Sequence, residues 1–212
     1  VKDSEIVFHL AACIHVDRSR FYPRLFYETN VKGTMNMLDA ARKNDSRLVY
    51  MSTCEILGNI PNGKATEEFS FKQPRSPYAS SKYAAEAYCY AFSQTYGMTV
   101  NIARGFNLCG PRQKIGDKGA VIPIFVNNVL NGNSPVIFGD GEQSRDYTDV
   151  RDTVRGLALL GESKYQNELF HFCSGVGVSI NNVAKTVLKL ANSNLKIKYG
   201  PKRPGELRRS VG

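Results

Sequence analysis

The hydrophobic positions of this chain fall into short apolar runs separated by longer stretches with helical periodicity. Residues 6–12 and 47–55 are short and almost continuously apolar, as is typical of strands buried on both faces of a parallel sheet. A third strand is predicted over residues 99–104. Helical patterns over residues 23–43 and 77–96 lie between the strands. This alternation predicts a doubly wound parallel sheet of the α/β class, in which ligands collect beyond the carboxyl ends of the strands.

The order of the elements also predicts two interleaved modules. Residues 1–108 would form the larger one, which the chain re-enters through a helix and a strand over about 146–174. Residues 109–145 and 175–212 would form a smaller α/β module. Because clefts between domains are common ligand sites, we expect a substrate to bind between the two modules.

The helical pattern that begins at Pro77 carries the first candidate chemistry, a tyrosine and a lysine four positions apart. One turn of helix places Tyr78 and Lys82 on the same face. A phenol with a pKa of about 10 is a weak base at neutral pH, but an ammonium beside it favours the phenolate and lowers that pKa. The pair is therefore candidate acid–base machinery, although the same spacing also occurs in many ordinary amphipathic helices.

Composition narrows the class of protein. The chain has 212 residues, of which 42% are hydrophobic and 22% charged, as in an ordinary globular protein. Its net charge of +9 comes from scattered lysines and arginines with no run of five, so nucleic-acid binding is not predicted. A cleft for an anionic substrate explains the basic balance equally well.

Cysteine usage and hydropathy indicate a compartment. The five cysteines are dispersed and odd in number, and they lack metal-ligand spacing, so we expect reduced thiols, no metal site and a cytoplasmic protein. No signal peptide and no apolar run of about 18 residues is present, so neither secretion nor membrane insertion is predicted.

A series of short motifs runs along almost the whole chain. They are His9-Leu10-Ala11-Ala12, Asn30-Val31-Lys32-Gly33-Thr34, Ser52-Thr53, Tyr78 with Lys82, Phe106-Asn107, Gly110-Pro111-Arg112-Gln113, Phe138-Gly139-Asp140-Gly141, Arg145-Asp146 and Arg203-Pro204-Gly205-Glu206. In order and approximate spacing this set resembles the extended short-chain dehydrogenase/reductases, the NAD-dependent epimerases and dehydratases of nucleotide sugars. The resemblance implies a Rossmann-type sheet with a smaller substrate-binding module.

The subfamily signal is mixed. Residues 15–19 and the triplet Thr53-Cys54-Glu55 are similar to dTDP-glucose 4,6-dehydratases, whereas residues 104–113 are closer to UDP-glucose 4-epimerases and UDP-glucuronate decarboxylases. We expect 4,6-dehydration through a 4-keto intermediate, with 4-epimerisation and decarboxylation as alternatives. A binding protein without catalytic competence is an alternative of another class.

The resemblance implies roles for individual residues. Tyr78 would take the proton of the sugar C4 hydroxyl, and Lys82 would tune it and bind the nicotinamide ribose. Thr53 would contact the C4 oxygen, and Glu55 would remove the C5 proton. The implied cofactor is NAD, with NADP left open, and the residues implied to contact it are Leu10, Ala11, Ala12, Asn30, Ser52, Tyr78, Lys82 and Phe106.

The implied substrate is a nucleoside-diphosphate sugar. Guanidinium groups grip phosphate oxygens in pairs, which makes arginines in the matching motifs candidates for the diphosphate. The residues implied to bind substrate are Asn107, Arg112, Arg145, Arg203 and Glu206. The family also pairs two long helices, here over residues 23–43 and 77–96, across a two-fold axis, so a homodimer is expected.

Three features depart from the family pattern. No glycine-rich phosphate-binding turn precedes the first strand, so we expect a fragment that binds NAD weakly by itself. Relatives also usually continue through another helix beyond the Arg203 motif. Finally, Cys54 stands where many 4,6-dehydratases have an aspartate that protonates the departing hydroxyl. A thiol with a pKa of about 8.5 can donate a proton, so this position leaves the reaction open.

Overall fold

The computed structural model describes residues 1–60, 63–68, 72–116, 119–203 and 206–212. The strands are β1 (Ile6–His9), β2 (Arg47–Thr53), β3 (Val100–Gly105), β4 (Asn107–Cys109), β5 (Val136–Phe138), β6 (Ser144–Asp149), β7 (Leu169–Phe172), β8 (Gly177–Ser179), β9 (Lys198–Gly200) and β10 (Arg209–Ser210). The helices are α1 (Val16–Phe21), α2 (Pro23–Phe26), α3 (Gly33–Lys43), α4 (Pro77–Tyr96), α5 (Val121–Leu130), α6 (Val150–Glu162) and α7 (Ile180–Leu190).

The main sheet has the order β1-β2-β3-β7 with every pair parallel. Strand β2 shows why both faces are covered. Leu48 and Tyr50 belong to a core cluster with residues of α3 and α4, while the alternate residues Val49 and Met51 pack with Leu157 of α6 on the other face. Side chains of a strand point to opposite faces in turn, so one apolar run serves two cores. The predicted doubly wound α/β fold is confirmed.

The predicted helix over residues 23–43 is interrupted in its middle. A π-helical turn, Tyr27–Lys32, joins α2 to α3 and contains the buried Asn30. The polar side chain of Asn30 is thereby held inside the protein, at a kind of helix irregularity that often marks a functional site. The first two strands are also shorter than predicted, because β1 ends at His9 and β2 ends at Thr53.

The remaining strands build smaller sheets beside the main one. Strand β6 pairs in parallel with β10 and β4 and antiparallel with β8, and β5 pairs with β9. The buried carboxylate of Asp146 in β6 accepts hydrogen bonds from the backbone N–H groups of Ser174 and Gly175, both at 2.8 Å. This carboxylate therefore ties the turn after β7 to the smaller sheets.

Candidate active site

The start of α4 places Tyr78 at the end of the main sheet. The Ser76 hydroxyl caps the helix by accepting a hydrogen bond from Ala79 N–H at 3.1 Å, and Pro77 occupies the first turn. One turn on, the Ser81 hydroxyl donates to the carbonyl of Tyr78 at 2.7 Å. The Tyr78 ring meets Phe26 edge-on, with centroids 6.3 Å apart. Capping and packing therefore fix this phenol within the first turn.

The environment of Tyr78 favours its neutral form. Burial raises the pKa of the phenol, the Thr53 hydroxyl lowers it through a hydrogen bond, and Glu55 raises it by charge. Tyr78, Thr53 and Glu55 are thus electrostatic neighbours, as their implied roles require. The group that lowers the Tyr78 pKa in this structure is Thr53, whereas the sequence pattern predicted Lys82.

Lys82 is turned toward the neighbouring strand. Its side chain is buried, and Nζ donates to the carbonyl oxygen of Met51 at 2.7 Å. The same ammonium lies 4.2 Å from the centroid of the Tyr50 ring, within cation–π range. Burial lowers the pKa of Lys82 to about 8. The lysine is therefore anchored at the carboxyl end of β2, and it stays mostly charged at pH 7.

Glu55 lies in the 3₁₀ turn that follows β2, where the Thr53 hydroxyl accepts its backbone N–H at 3.3 Å. Its partly buried side chain faces a cleft of about 140 Å³. The other residues that line the cleft are Val16, Asp17, Arg20, Arg145, Arg203, Glu206 and Leu207. Burial raises the pKa of Glu55, and the positive charge of Arg145 opposes that rise. A carboxylate so placed is a stronger base than an exposed one.

Two of the three predicted phosphate-binding arginines share this cleft. Arg203 lies 4.2 Å above the centroid of the Phe138 ring and 3.6 Å from Asp17 Oδ2, and Arg145 donates to the carbonyl of Ser144 at 2.9 Å. Arg112 lines a separate cavity of about 200 Å³ with residues 108–113 and Val150. The structure therefore groups Arg145 and Arg203 with Glu55 and leaves Arg112 apart. Pro204 and Gly205 of the same motif lie outside the described residues.

The cofactor candidates surround the ends of β1 and β2. Asn30 accepts the backbone N–H of Cys13 at 2.8 Å, and its amide donates to the Cys13 carbonyl and to the Ser81 hydroxyl, both at 2.9 Å. Leu10 and Ala11 are exposed just after β1. The buried Ser52 hydroxyl has no hydrogen-bond partner among the described residues. An open strand end beside an unsatisfied hydroxyl fits a polar ligand there.

The last two candidates lie between the sheets. Phe106 is buried and meets the His171 ring edge-on, with centroids 5.4 Å apart, and Asn107 donates to the carbonyl of Asp146 at 3.1 Å. Asp17 and Arg20, which were not predicted as site residues, also line the Glu55 cleft and form an ion pair at 3.6 Å. The sequence feature that could have indicated these two residues is the pair of opposite charges three positions apart in α1.

Cys54 does not line the Glu55 cleft. Its side chain is buried in an apolar cluster with Ile56, Leu57 and Phe106, and the Ser210 hydroxyl donates to its sulfur at 3.4 Å. Burial raises the pKa of this thiol to about 12. At neutral pH it is therefore a neutral group within the core.

In the part of the chain that the structure describes, no cluster of three or more histidine, cysteine or carboxylate side chains is arranged to hold a metal ion. None of the helices described combines the length and the apolar character needed to cross a membrane.

Comparison with known proteins gives consistent matches. The family model for the NAD dependent epimerase/dehydratase family matches residues 1–171. A dTDP-glucose 4,6-dehydratase of Streptomyces niveus is 32% identical over 207 residues, which cover 97% of this chain and 60% of the relative. A UDP-N-acetyl-alpha-D-glucosaminuronate decarboxylase of Bacillus cytotoxicus is 34% identical over 209 residues, covering 95% of this chain and 64% of the relative.

A solved structure is similarly close. The UDP-N-acetylglucosamine 4-epimerase from Methanobrevibacter ruminantium M1, in complex with UDP-N-acetylmuramic acid, superposes with a TM-score of 0.95 at 34% identity. The match covers 100% of this chain and 68% of that one. The chain thus spans about two thirds of the length of these proteins. Their three names describe three different reactions, so similarity alone does not select one.

Proposed function

The chain belongs to the NAD-dependent epimerase/dehydratase family, and from that premise we propose that it acts on the sugar of a nucleoside-diphosphate sugar by 4,6-dehydration. The observation that carries this choice is Glu55, a carboxylate with a raised pKa in a cleft that also holds Arg145 and Arg203. The relatives compared above supply the substrate class, because their names refer to UDP- and dTDP-linked sugars.

The residues at the strand ends fit NAD. Lys82 and the Ser52 hydroxyl, which has no hydrogen-bond partner among the described residues, supply hydrogen-bonding groups beside exposed Leu10 and Ala11, and Asn30 holds the backbone of Cys13 next to them. When bound, NAD would supply the redox chemistry by accepting and later returning the hydrogen of the sugar carbon. The protein's own part is to hold the cofactor and to move protons at defined oxygen atoms.

Tyr78 would remove the proton of the C4 hydroxyl. The hydrogen bond between Tyr78 and Thr53 places the Thr53 hydroxyl beside the phenol oxygen. The Thr53 hydroxyl could then hold the substrate while Tyr78 takes the proton. A buried phenol becomes a useful base only where positive charge favours its ionised form. Lys82 is the cation one helical turn away, and its pKa of about 8 keeps it mostly protonated at pH 7.

Glu55 would act in the second stage, the loss of water from C5 and C6. A carbonyl at C4 acidifies the proton on C5, and a carboxylate within reach can take that proton and begin the loss of water from C6. The raised pKa of Glu55 makes it the stronger base for this step, while the positive charge of Arg145 favours its ionised form. The carboxylate would act with Tyr78, whose pKa its charge raises, and with Thr53, which hydrogen-bonds Tyr78.

One observation favours 4-epimerisation as the second candidate. Elimination needs a proton for the departing hydroxyl, and the residue that would give it in many dehydratases corresponds to the core-facing thiol of Cys54. An epimerase needs no such acid and no base at C5. If the protein dehydrates its substrate, the proton must come from another group, such as Glu55 after it has taken the C5 proton.

Glu55→Gln separates these reactions in an active, NAD-loaded preparation in deuterated water. For a dehydratase we expect product formation to fall by about two to four orders of magnitude while C4 oxidation persists, so that NADH absorbance accumulates. The unaltered enzyme should place one solvent deuterium at C5. Glu162→Gln, an exposed change at the end of α6, is the matched control and should leave the rate unchanged.

The alternatives give different products. Full turnover by Glu55→Gln with no deuterium in the product would replace the dehydratase assignment with a 4-epimerase. A product one carbon shorter from a uronic acid substrate, with release of carbon dioxide, would identify a decarboxylase. On a panel of UDP-, dTDP- and GDP-sugars, mass spectrometry detects the loss of water or of carbon dioxide, and proton nuclear magnetic resonance of the product detects 4-epimerisation, which leaves the mass unchanged.

We also propose a homodimer formed through α4 and the helical segment that precedes β2. Three tyrosines of α4, Tyr83, Tyr88 and Tyr90, are 40%, 38% and 66% exposed, which leaves apolar area available for packing. Aromatic side chains are enriched at such interfaces. Light scattering at micromolar concentration should give the mass of two chains, and a monomer would contradict the proposal.

A further inference from the structure

The face of α4 that carries Tyr78 and Lys82 continues into a buried ion pair. Glu86 lies one turn beyond Lys82, and both side chains are buried. Arg104 of β3 donates to Glu86 twice, through Nε at 2.9 Å and through Nη2 at 2.7 Å. The two side chains are only 4% and 6% exposed. A bidentate pair this deeply buried fixes the helix against the strand in both distance and orientation.

The pair extends across the sheet to β7. Arg104 is in register with His171, and its Nη1 lies 3.5 Å from His171 Nε2. On the other side of the ring, Nδ1 lies 3.1 Å from the carbonyl oxygen of Ala65. Since a carbonyl can only accept, Nδ1 carries the hydrogen and Nε2 presents its lone pair to Arg104. Burial lowers the pKa of His171, which favours this neutral form.

His171 also holds the segment of residues 63–68, which precedes α4 in the chain. The backbone N–H of His171 donates to Glu67 Oε1 at 2.7 Å, next to the contact with Ala65. Residues 63–68 lie between the Glu55 turn and the start of α4. Through His171 and Arg104, this segment and Glu86 are therefore linked by a continuous set of polar contacts.

Glu86 also supplies charge to the surroundings of Lys82. The other titratable groups near this ammonium are neutral at pH 7, because burial lowers the pKa of His9 to about 4 and raises those of Tyr50 and Cys89. Cys89 and Glu86 both raise the pKa of Lys82, and because the Cys89 thiol is neutral at pH 7, the Glu86 carboxylate is the charged neighbour that offsets part of the cost of burying the ammonium. Glu86 therefore favours the charged form of Lys82.

We propose that Glu86, clamped by Arg104 and His171, is a positioning residue that keeps the Lys82 side chain charged and seated on the Met51 carbonyl. The idea rests on the proposed function, in which Lys82 supports proton transfer by Tyr78. The competing explanation is a purely structural ion pair. That explanation predicts that an apolar pair of similar size replaces it without loss, as is often found for buried ion pairs.

The test compares Glu86→Gln with the double variant Glu86→Met/Arg104→Met, in which neither partner is left unpaired. Nuclear magnetic resonance of labelled lysine side chains reports the titration of Lys82, assigned by its loss in Lys82→Met. We expect the titration midpoint of Lys82 to fall in both variants. We also expect kcat to fall by about 100-fold with KM little changed, while the double variant retains its melting temperature. Glu28→Gln, which removes an exposed ion pair to Lys32, is the matched control and should change none of these.

Each outcome decides the matter. An unchanged Lys82 titration, or full kcat in a stably folded double variant, would show that the pair is structural only and would overturn the proposal. If Glu86→Gln does not fold, the double variant alone decides. The titration needs no substrate, so absence of sugar turnover in the unaltered protein would count against the proposed function and not against this role of Glu86.

Discussion

The start of α4 and the Glu55 cleft differ in how far they exclude solvent. At the start of α4, Tyr78 and Lys82 are buried and their pKa values are displaced from the usual range. In the cleft, Arg203 is about half exposed and pairs with Asp17 at 3.6 Å, where solvent screens the charges. The buried start of α4 is suited to proton transfer, and the solvated cleft is suited to binding and releasing an anion.

Of the changes at the two places, removal of the Tyr78 hydroxyl is expected to reduce kcat the most. Tyr78→Phe keeps the ring contact with Phe26 but deletes the group that would transfer the proton, so kcat should fall by about two to four orders of magnitude. No NADH absorbance should accumulate, in contrast to Glu55→Gln. Tyr165→Phe, at an exposed ring, is the control. Activity above a tenth of the original in Tyr78→Phe would exclude it as the acid–base group.

The role of the solvated cleft is tested by comparing Arg145→Met with Arg112→Met. Arg145 lowers the pKa of Glu55, so its removal should raise that pKa and move the acidic limb of the kcat profile to higher pH. Loss of a charged hydrogen-bonding partner should also reduce kcat/KM by about 10- to 100-fold, mainly through KM. Arg112 lines a different cavity, and its variant should leave the acidic limb in place. An equal shift in both variants would contradict the separation of the two arginines.

The same contrast explains what the sequence could predict. Periodicity located β2 and α4 and placed Tyr78 and Lys82 on one face, because these features depend on local spacing. It could not show that Lys82 turns to the Met51 carbonyl, since that contact depends on how the helix packs on the strand. The motifs likewise grouped three arginines, and only the folded chain separates Arg112 from the other two.

The polar contacts between distant segments were the least predictable. Arg104 is paired with Glu86 across 18 positions and with His171 across 67, and nothing in the local sequence of any of them signals a partner. The π-helical turn at Asn30 is similar, because a helical pattern does not reveal a change of hydrogen-bond spacing. Such features follow from the tertiary packing of the main sheet.

A smaller effect is expected on stability when the buried ammonium is removed. Lys82 has a pKa of about 8 when folded against an ordinary value of 10.5, so the unfolded chain binds more protons between these pH values. Stability should therefore rise with pH across this window, and the rise should be absent in Lys82→Met. At pH 7 the variant should be more stable by about 1 to 2 kcal/mol, after the lost hydrogen bond to Met51 is counted. A lower unfolding free energy in Lys82→Met would contradict this account.

The smallest effect is expected for an ion pair outside the cleft. Arg208 Nη1 donates to both oxygens of Asp140 at 2.7 and 2.9 Å, distances like those between Arg104 and Glu86, yet the two side chains of this pair are 55% and 60% exposed. Water solvates these charges in the folded and unfolded states alike, so Arg208→Gln should leave the denaturation midpoint unchanged within error. Arg104→Gln, by contrast, strands a buried carboxylate and should lower the unfolding free energy by about 3 to 5 kcal/mol. Urea denaturation of the two variants side by side measures the difference, and equal midpoints would show that burial does not distinguish the two pairs.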